Sequence, residues 1–265
     1  MESNYTAAID TYHRRLRSVV LQIAIILFII AICAYYTGLF DSERLIDGVP
    51  SIFSLLGEGI PPNFTELTSW FRPLLDTLAM SIAGTALAVL FSIPLGVLGA
   101  RNTAPNLFVY QIARGILNTL RAIPELIMGI IFVAAVGFGA LPGVLALGLH
   151  SIGMVGKFIS ESIEHVAEEP LEAVSAAGAT RAQVILHGVL PQVMPQIADV
   201  TIYRWEFNFR ASTVMGMVGA GGIGMELMGS LRLMKYDEVT ALLLVILFMV
   251  TIVDGIGIFL RKRFK

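Results

Sequence analysis

Long uncharged runs separated by short polar stretches dominate the chain. Ser18 to Phe40 is 23 residues without a charge, and Thr77 to Ala100 is 24. About 20 apolar residues carry a helix across the hydrocarbon core of a bilayer. A third run, from about Leu107 to Val136, carries Arg114, Arg121, Pro124 and Glu125 in its first half. Pro124 lacks an N–H and predicts a kink or break there. Leu141-Pro142-Gly143 predicts a turn, followed by a fourth span from about Val144 to Glu164. A fifth runs from about Pro191 to Gly216, and a sixth from about Val239 to Leu260 with one internal charge, Asp254. The pattern predicts an all-α polytopic membrane protein with six transmembrane helices. Between the first two spans, Leu45, Ile46, Val49, Ile52, Phe53 and Leu56 recur at helical spacing, interrupted by Pro50. Segment 41–72 is therefore either a helix lying at the outer surface or a loop packed on the spans.

Composition sharpens this picture. Residues of the AVILMFWYC set make up 56% of the 265 residues and charged residues 14%, against about 25% charged in an ordinary soluble domain. Mean hydropathy is +0.78. A net charge of −2 gives no basic excess for nucleic acid. Cys33 is the one cysteine, so no disulfide forms within the chain, and no Cys/His cluster suggests a metal. Charge also orients the spans. His13-Arg14-Arg15-Leu16-Arg17 precedes the first and Arg261-Lys262-Arg263-Phe264-Lys265 follows the last. By the positive-inside rule both termini are cytoplasmic, in agreement with an even number of spans. The first run is too long for the core of a signal peptide, and no A-x-A site follows it. Loops 101–106 and 165–190 are then cytoplasmic, and 41–72, 137–142 and 217–236 lie outside.

The cytoplasmic loop 165–191 is longer than a simple connection needs. Glu168 and Glu169 precede Pro170, which suits the first position of a helix, and the acidic cluster with Glu172 suits the positive end of its dipole. Gly178 is placed to end that helix in a left-handed conformation. Thr180-Arg181-Ala182-Gln183 is a capping box that starts a second helix. Glu172-Ala173-Val174, three residues, Gly178, nine residues and Gly188-Val189-Leu190-Pro191 resemble the EAA loop of ABC-importer permeases. The match holds at Glu172, Ala173, Gly178, Leu190 and Pro191, and departs at Val174 and Gly188. Leu120-Arg121-Ala122-Ile123-Pro124-Glu125-Leu126, the stretch Tyr203 to Val214 with Ser212 and Thr213, and Gly219-Ala220-Gly221-Gly222-Ile223-Gly224 resemble the phosphonate and phosphite branch of that family. The resemblance implies a type I importer permease core over 73–265, with residues 1–72 adding a cytoplasmic tail, one extra N-terminal helix and an outer-side segment. It implies a loop, with Glu172 as polar anchor, Gly178 as turn and Arg181 beside it, that docks on an ATPase subunit. It further implies a homodimer in the inner membrane, two ATPase subunits below that bind ATP and Mg, and an extracytoplasmic phosphonate-binding protein above. A permease for another solute such as methionine, or an ion-coupled secondary transporter, are the alternatives.

Charged groups inside the spans are the candidate site. If the fifth span enters near Pro191, Arg204, Glu206 and Arg210 lie from the midplane outward, where each charge costs roughly 2.5–3.5 kcal/mol facing lipid. Glu206 and Arg210 are spaced to pair on one helix face; Arg204 and Asn208 form a second row. These groups either line an anion's route, where guanidinium forks suit phosphorus oxygens, or brace a subunit interface. Arg121 and Glu125, also four apart, flank the Pro124 kink as a charge pair that is a gate or a fixed brace. Gly219 to Gly224 lacks the Lys and Ser/Thr of a phosphate loop and reads as a tight backbone passage. Gly156-Lys157 is followed by Phe158, so the chain carries no nucleotide site or cofactor of its own. His150 and His187 lack ligand spacing, and no nucleophile–base pair supports an enzyme.

Overall fold

The computed structural model describes residues 2–264, with side chains over 12–263. Its elements are α-helices, and among the described residues there is no strand. The chain divides into two compact units, residues 1–57 and 58–265.

The first unit holds α1 (Glu2–Tyr36) and most of α2 (Ser42–Glu58). The helix that contains the first apolar run starts well before Ser18 and stops short of Phe40, because Gly38 takes a positive φ of 74° and turns the chain. Within α1, residues 12–36 are apolar enough to cross a bilayer, and none of the hydrophobic window is buried. The α2 segment is helical despite Pro50, and none of its residues is buried.

The second unit is built on α3 (Phe71–Leu98) and α6 (Ala140–Glu164), its most extensive helix pair. Thr77, Ser81, Gly84, Thr85, Ala88 and Ser92 form the buried stripe of α3. Small residues let helix backbones approach where the surrounding lipid gives no hydrophobic drive. Gly153 of α6 is one such approach: a Cβ there would lie 2.7 Å from the Arg121 nitrogen and 2.8 Å from the Leu117 carbonyl oxygen.

The third apolar run is broken in two, α4 (Leu107–Ala122) and α5 (Glu125–Val136), with an 87° bend. Ile123, just before proline, is pushed into extended backbone (ψ 121°). The turn expected at Leu141-Pro142-Gly143 is instead the first turn of α6, where the absent N–H of Pro142 costs little. The chain reverses one step earlier, at Gly137 (φ 91°) and Gly139 (φ 127°). After the loop helices α7 (Glu168–Ala176) and α8 (Arg181–Val184), a π turn leads into α9 (Leu190–Met215). Gly219, Gly221 and Gly222, all with positive φ, then bend the chain by 58° into α10 (Ile223–Arg232). The tight glycine passage is real, and the region expected as an outer loop holds a helix. The Thr77 hydroxyl accepts the first amide of α10, Ile223 N–H (2.9 Å). The last helix is α11 (Tyr236–Phe264).

Among the described residues, four helices are long and apolar enough to cross a membrane alone: the apolar part of α1, α3, α6 and α11. The number rises to six when each bent pair is counted as one span. Glu206 of α9 lies against Arg261 in the last turn of α11, whereas Asn208 lies level with the middle of α3 and α6. α9 is thus offset against α11, with Glu206 beside the last turn of α11 and Arg210 beside Asp254.

Gly153→Leu places carbon against the α4 backbone, which cannot yield as a side chain would. We expect it to cost about 1–3 kcal/mol, read as a lower temperature of half-loss of the monodisperse peak in detergent, while Gly115→Leu, with nothing within 4 Å of its Cβ position, leaves that temperature unchanged.

Candidate functional site

Two regions gather the expected residues. The first is the α7–α8 loop. α7 begins at Glu168, with Ala167 as its N-cap, so Pro170 sits in the first turn rather than at the first position; its missing N–H still falls among the unpaired donors of a helix start. Gly178 has φ 81° and ends α7 as expected. Thr180 and Gln183 close the capping box, with Thr180 N–H donating to Gln183 Oε1 at 2.8 Å. Leu171 and Leu190 pack inward on Val155, Ile159, Ile163, Val189 and Val193. Glu172, Ala173, Gly178 and Arg181 stay exposed, as does Pro191, and Glu172 has no hydrogen bond or ion pair among the described residues. Gln192, which sequence reasoning missed, holds the base of the loop: Ala167 N–H donates to its Oε1 (3.0 Å), and its amide donates to Gly188 O (2.9 Å). The result is an ordered, capped knuckle with a polar outer face and an apolar root.

The second region is a polar network through the helices. Arg204 is 4% exposed, Glu206 5% and Asn208 0%, so none of the three faces lipid. Arg204 Nε donates to Ser151 Oγ (2.7 Å), and that hydroxyl donates to Asn208 Oδ1 (3.1 Å). Asn208 Nδ2 donates to Thr85 Oγ1 (2.9 Å), which donates to Ser81 O (2.7 Å). The second row expected for Arg204 and Asn208 is thus joined through α6 to α3. Arg204 also lies over the Phe207 ring at 4.3 Å.

The two charge pairs expected within single helices do not form. Glu206 pairs with Arg261, through contacts of 2.8 and 3.0 Å, and Arg210 pairs with Asp254 at 2.8 and 3.2 Å. Both partners lie on α11. Each pair holds a charge-assisted hydrogen bond at 2.8–3.0 Å, and Asp254 and Arg261 themselves need partners in an apolar helix. Gly257 opens the space: a Cβ there would collide with the Glu206 carboxylate. Arg121 and Glu125 are likewise separated, because the i,i+4 geometry does not survive the 87° break. Glu125 meets Arg204 Nη2 (3.4 Å) and lies 3.9 Å from His150 Nε2. Arg121 makes no ion pair among the described residues. Ser212 Oγ lies 2.7 Å from Phe209 O and 3.3 Å from Thr77 O, and Thr213 donates to Arg210 O (2.6 Å). The Ser212 hydroxyl thus reaches α3, and the Thr213 hydroxyl bonds only within α9.

Outside the spans, Arg101 is held further above its usual pKa by its hydrogen bond to the Tyr110 hydroxyl. Its backbone N–H donates to Glu164 Oε1 (2.9 Å), which also pairs with Arg114 (3.0 Å). This knot ties the end of α6 to the α3–α4 turn.

Asn208→Leu removes the acceptor of the Ser151 hydroxyl hydrogen and the donor to Thr85 Oγ1, both away from water. We expect a stability loss of about 1–3 kcal/mol, measured by thermal unfolding of the purified protein in detergent. Thr213→Val, whose hydroxyl bonds only to its own helix, is expected to change it little.

Residues 92–265 match the family described as "Binding-protein-dependent transport system inner membrane component". The phosphite transport system permease protein PtxC of Stutzerimonas stutzeri is 66% identical over 244 residues, 92% of this chain and 89% of that one. The phosphate-import permease protein PhnE of Mycolicibacterium smegmatis is 40% identical over 84% of this chain and 42% of its own length. Among solved structures, the MetNI methionine ABC transporter in an inward-facing conformation matches 77% of this chain and 99% of the solved chain with a TM-score of 0.68 at 19% identity. A bacterial alginate ABC transporter matches 86% and 93% with a TM-score of 0.60 at 14% identity. These likenesses carry the fold: a type I importer permease core of helices. The chain belongs to the family of inner-membrane components of binding-protein-dependent transport systems.

Proposed function

We propose that this permease moves a phosphorus oxyanion, phosphite or a phosphonate, from an extracytoplasmic binding protein into the cytoplasm. The observation that carries this reading is the 66% identity to a phosphite permease, sustained over 92% of the chain. The buried guanidinium of Arg204 within the spans supports it, since a small anion needs cationic donors on its way through a low-dielectric layer. In this reading two copies of the chain enclose the path, and both termini are cytoplasmic. Two ATPase subunits bind ATP and Mg beneath, and the exposed knuckle of Glu172, Ala173, Gly178 and Arg181 docks on them. Transport follows from two arrangements of the paired spans whose populations are shifted by ATP-driven closure of those subunits.

Uptake of labelled phosphite and methylphosphonate by cells with and without the gene, at limiting phosphate and with methionine as competitor, tests the substrate. We expect uptake to be lost on deletion and unaffected by methionine; unchanged uptake in cells with no redundant system rejects the reading. Glu172→Lys reverses the charge of the outer face without touching the apolar root. It is expected to leave the permease folded and to abolish co-purification of the ATPase subunit.

A further inference from the structure

The α4–α5 break leaves a group of polar atoms incompletely matched to one another. Arg204 uses Nε on Ser151 and Nη2 on Glu125, while Nη1 has no acceptor among the described residues. The Glu125 contact is long, 3.4 Å, against 2.7–2.9 Å for a well-made charge-assisted bond. His150 Nδ1 lies 3.1 Å from Ile123 O, the carbonyl freed where Pro124 interrupts the helix. Donation of Nδ1–H to that carbonyl leaves the Nε2 lone pair turned toward Glu125 Oε2, 3.9 Å away. In that tautomer two acceptors face each other across a gap too wide for a bond. One carboxylate oxygen stands between a guanidinium and an imidazole and satisfies neither fully. The Glu125 side chain is 23% exposed and sits in the first turn of α5, beyond Pro124, which gives no side-chain cap. Ile127 N–H already bonds Pro124 O (3.1 Å), which leaves the amides of Glu125 and Leu126 as the unpaired donors of that turn.

We propose that Arg204 and His150, at the start of α5, form a relay site for a singly protonated tetrahedral oxyanion, with Glu125 as the internal counter-ion that the anion displaces. The site rests on the phosphorus-oxyanion reading above. The chemistry is complementary. A deprotonated oxygen of the anion takes the Nη donors of Arg204, and its P–OH donates to His150 Nε2, where a carboxylate has no hydrogen to offer. Glu125 swings away on its own side-chain torsions, and its return restores the ion pair and expels the anion. No bond is made or broken. Ser151 and Phe207 fix the guanidinium throughout, so the arginine does not follow its ligand.

The test uses full-length chain assembled with its ATPase and binding-protein partners in vesicles, with labelled phosphite as probe and ATP hydrolysis recorded in parallel. Arg204→Gln is expected to lower the phosphite moved per ATP hydrolysed by about tenfold or more, as expected for loss of a charged hydrogen bond. Glu125→Gln removes the competing carboxylate and is expected to lower KM and kcat together, by slowing release; unchanged values of both overturn the proposal. The double variant Glu125→Gln/Arg204→Gln separates a relay from a brace. A brace is relieved when both charges go, and uptake recovers; a relay stays as impaired as Arg204→Gln alone. Arg204→Lys keeps the charge but not the fork, and an intermediate loss is expected should Arg204→Gln fail to assemble. Wild-type vesicles that take up neither phosphite nor methylphosphonate overturn the substrate reading and the site with it. Wild-type uptake with a recovered double variant overturns the site alone.

Discussion

A charge held away from water must receive its counter-charges and acceptors from the protein, because the bilayer supplies none. The second unit is arranged around that constraint. The Arg204 guanidinium is met by a serine of α6, a glutamate of α5 and an aromatic face of its own helix. Asn208, one turn further on, carries the same chain of bonds to α3. The helices that bury most surface are therefore also joined by directional bonds, which small residues alone would not give. Close approach lets α3 and α6 lie together; the polar chain fixes which residue of α9 lies against them.

Much of the fold is legible from hydrophobic runs, since the spans are set by bilayer thickness and leave little choice. The break at Pro124 and the end of α7 at Gly178 are legible because each follows from backbone sterics of a single residue. Leu141-Pro142-Gly143 and Pro170 depart from expectation for a common reason. Proline marks a helix start within a turn, and the sequence does not say whether the helix begins at it or shortly before it. The helix α10 escapes the sequence because glycines that announce a turn hide the element beyond it.

The need of the charges in the spans for partners is legible in the sequence, and the partners are not. Arg204, Glu206, Arg210 and Glu125 stand out because charge in an apolar run is costly. A sequence displays one spacing for partners, the one along the helix. The actual partners, Asp254, Arg261, Ser151 and His150, come from other helices at separations no periodicity records. Asp254 and Arg261 could have been suspected as the charges of α11 that also needed answering. Ser151 and Thr85 give no signal: a lone hydroxyl in a span reads as packing.

The grip of Gln192 on Ala167 and Gly188 has a mechanical consequence. Gln192 belongs to α9 itself, so the loop knuckle is fastened to the foot of the helix that carries Arg204, about 18 Å away along the axis at 1.5 Å per residue. α9 then links the knuckle to Arg204 along a single helix. A displacement of the knuckle would reach the guanidinium along this one helix, with Pro195 between them as its weakest link in hydrogen bonding, while α11 would resist it through the two pairs at Glu206 and Arg210. The far end of that helix meets the glycine passage, where three positive-φ glycines let the backbone turn.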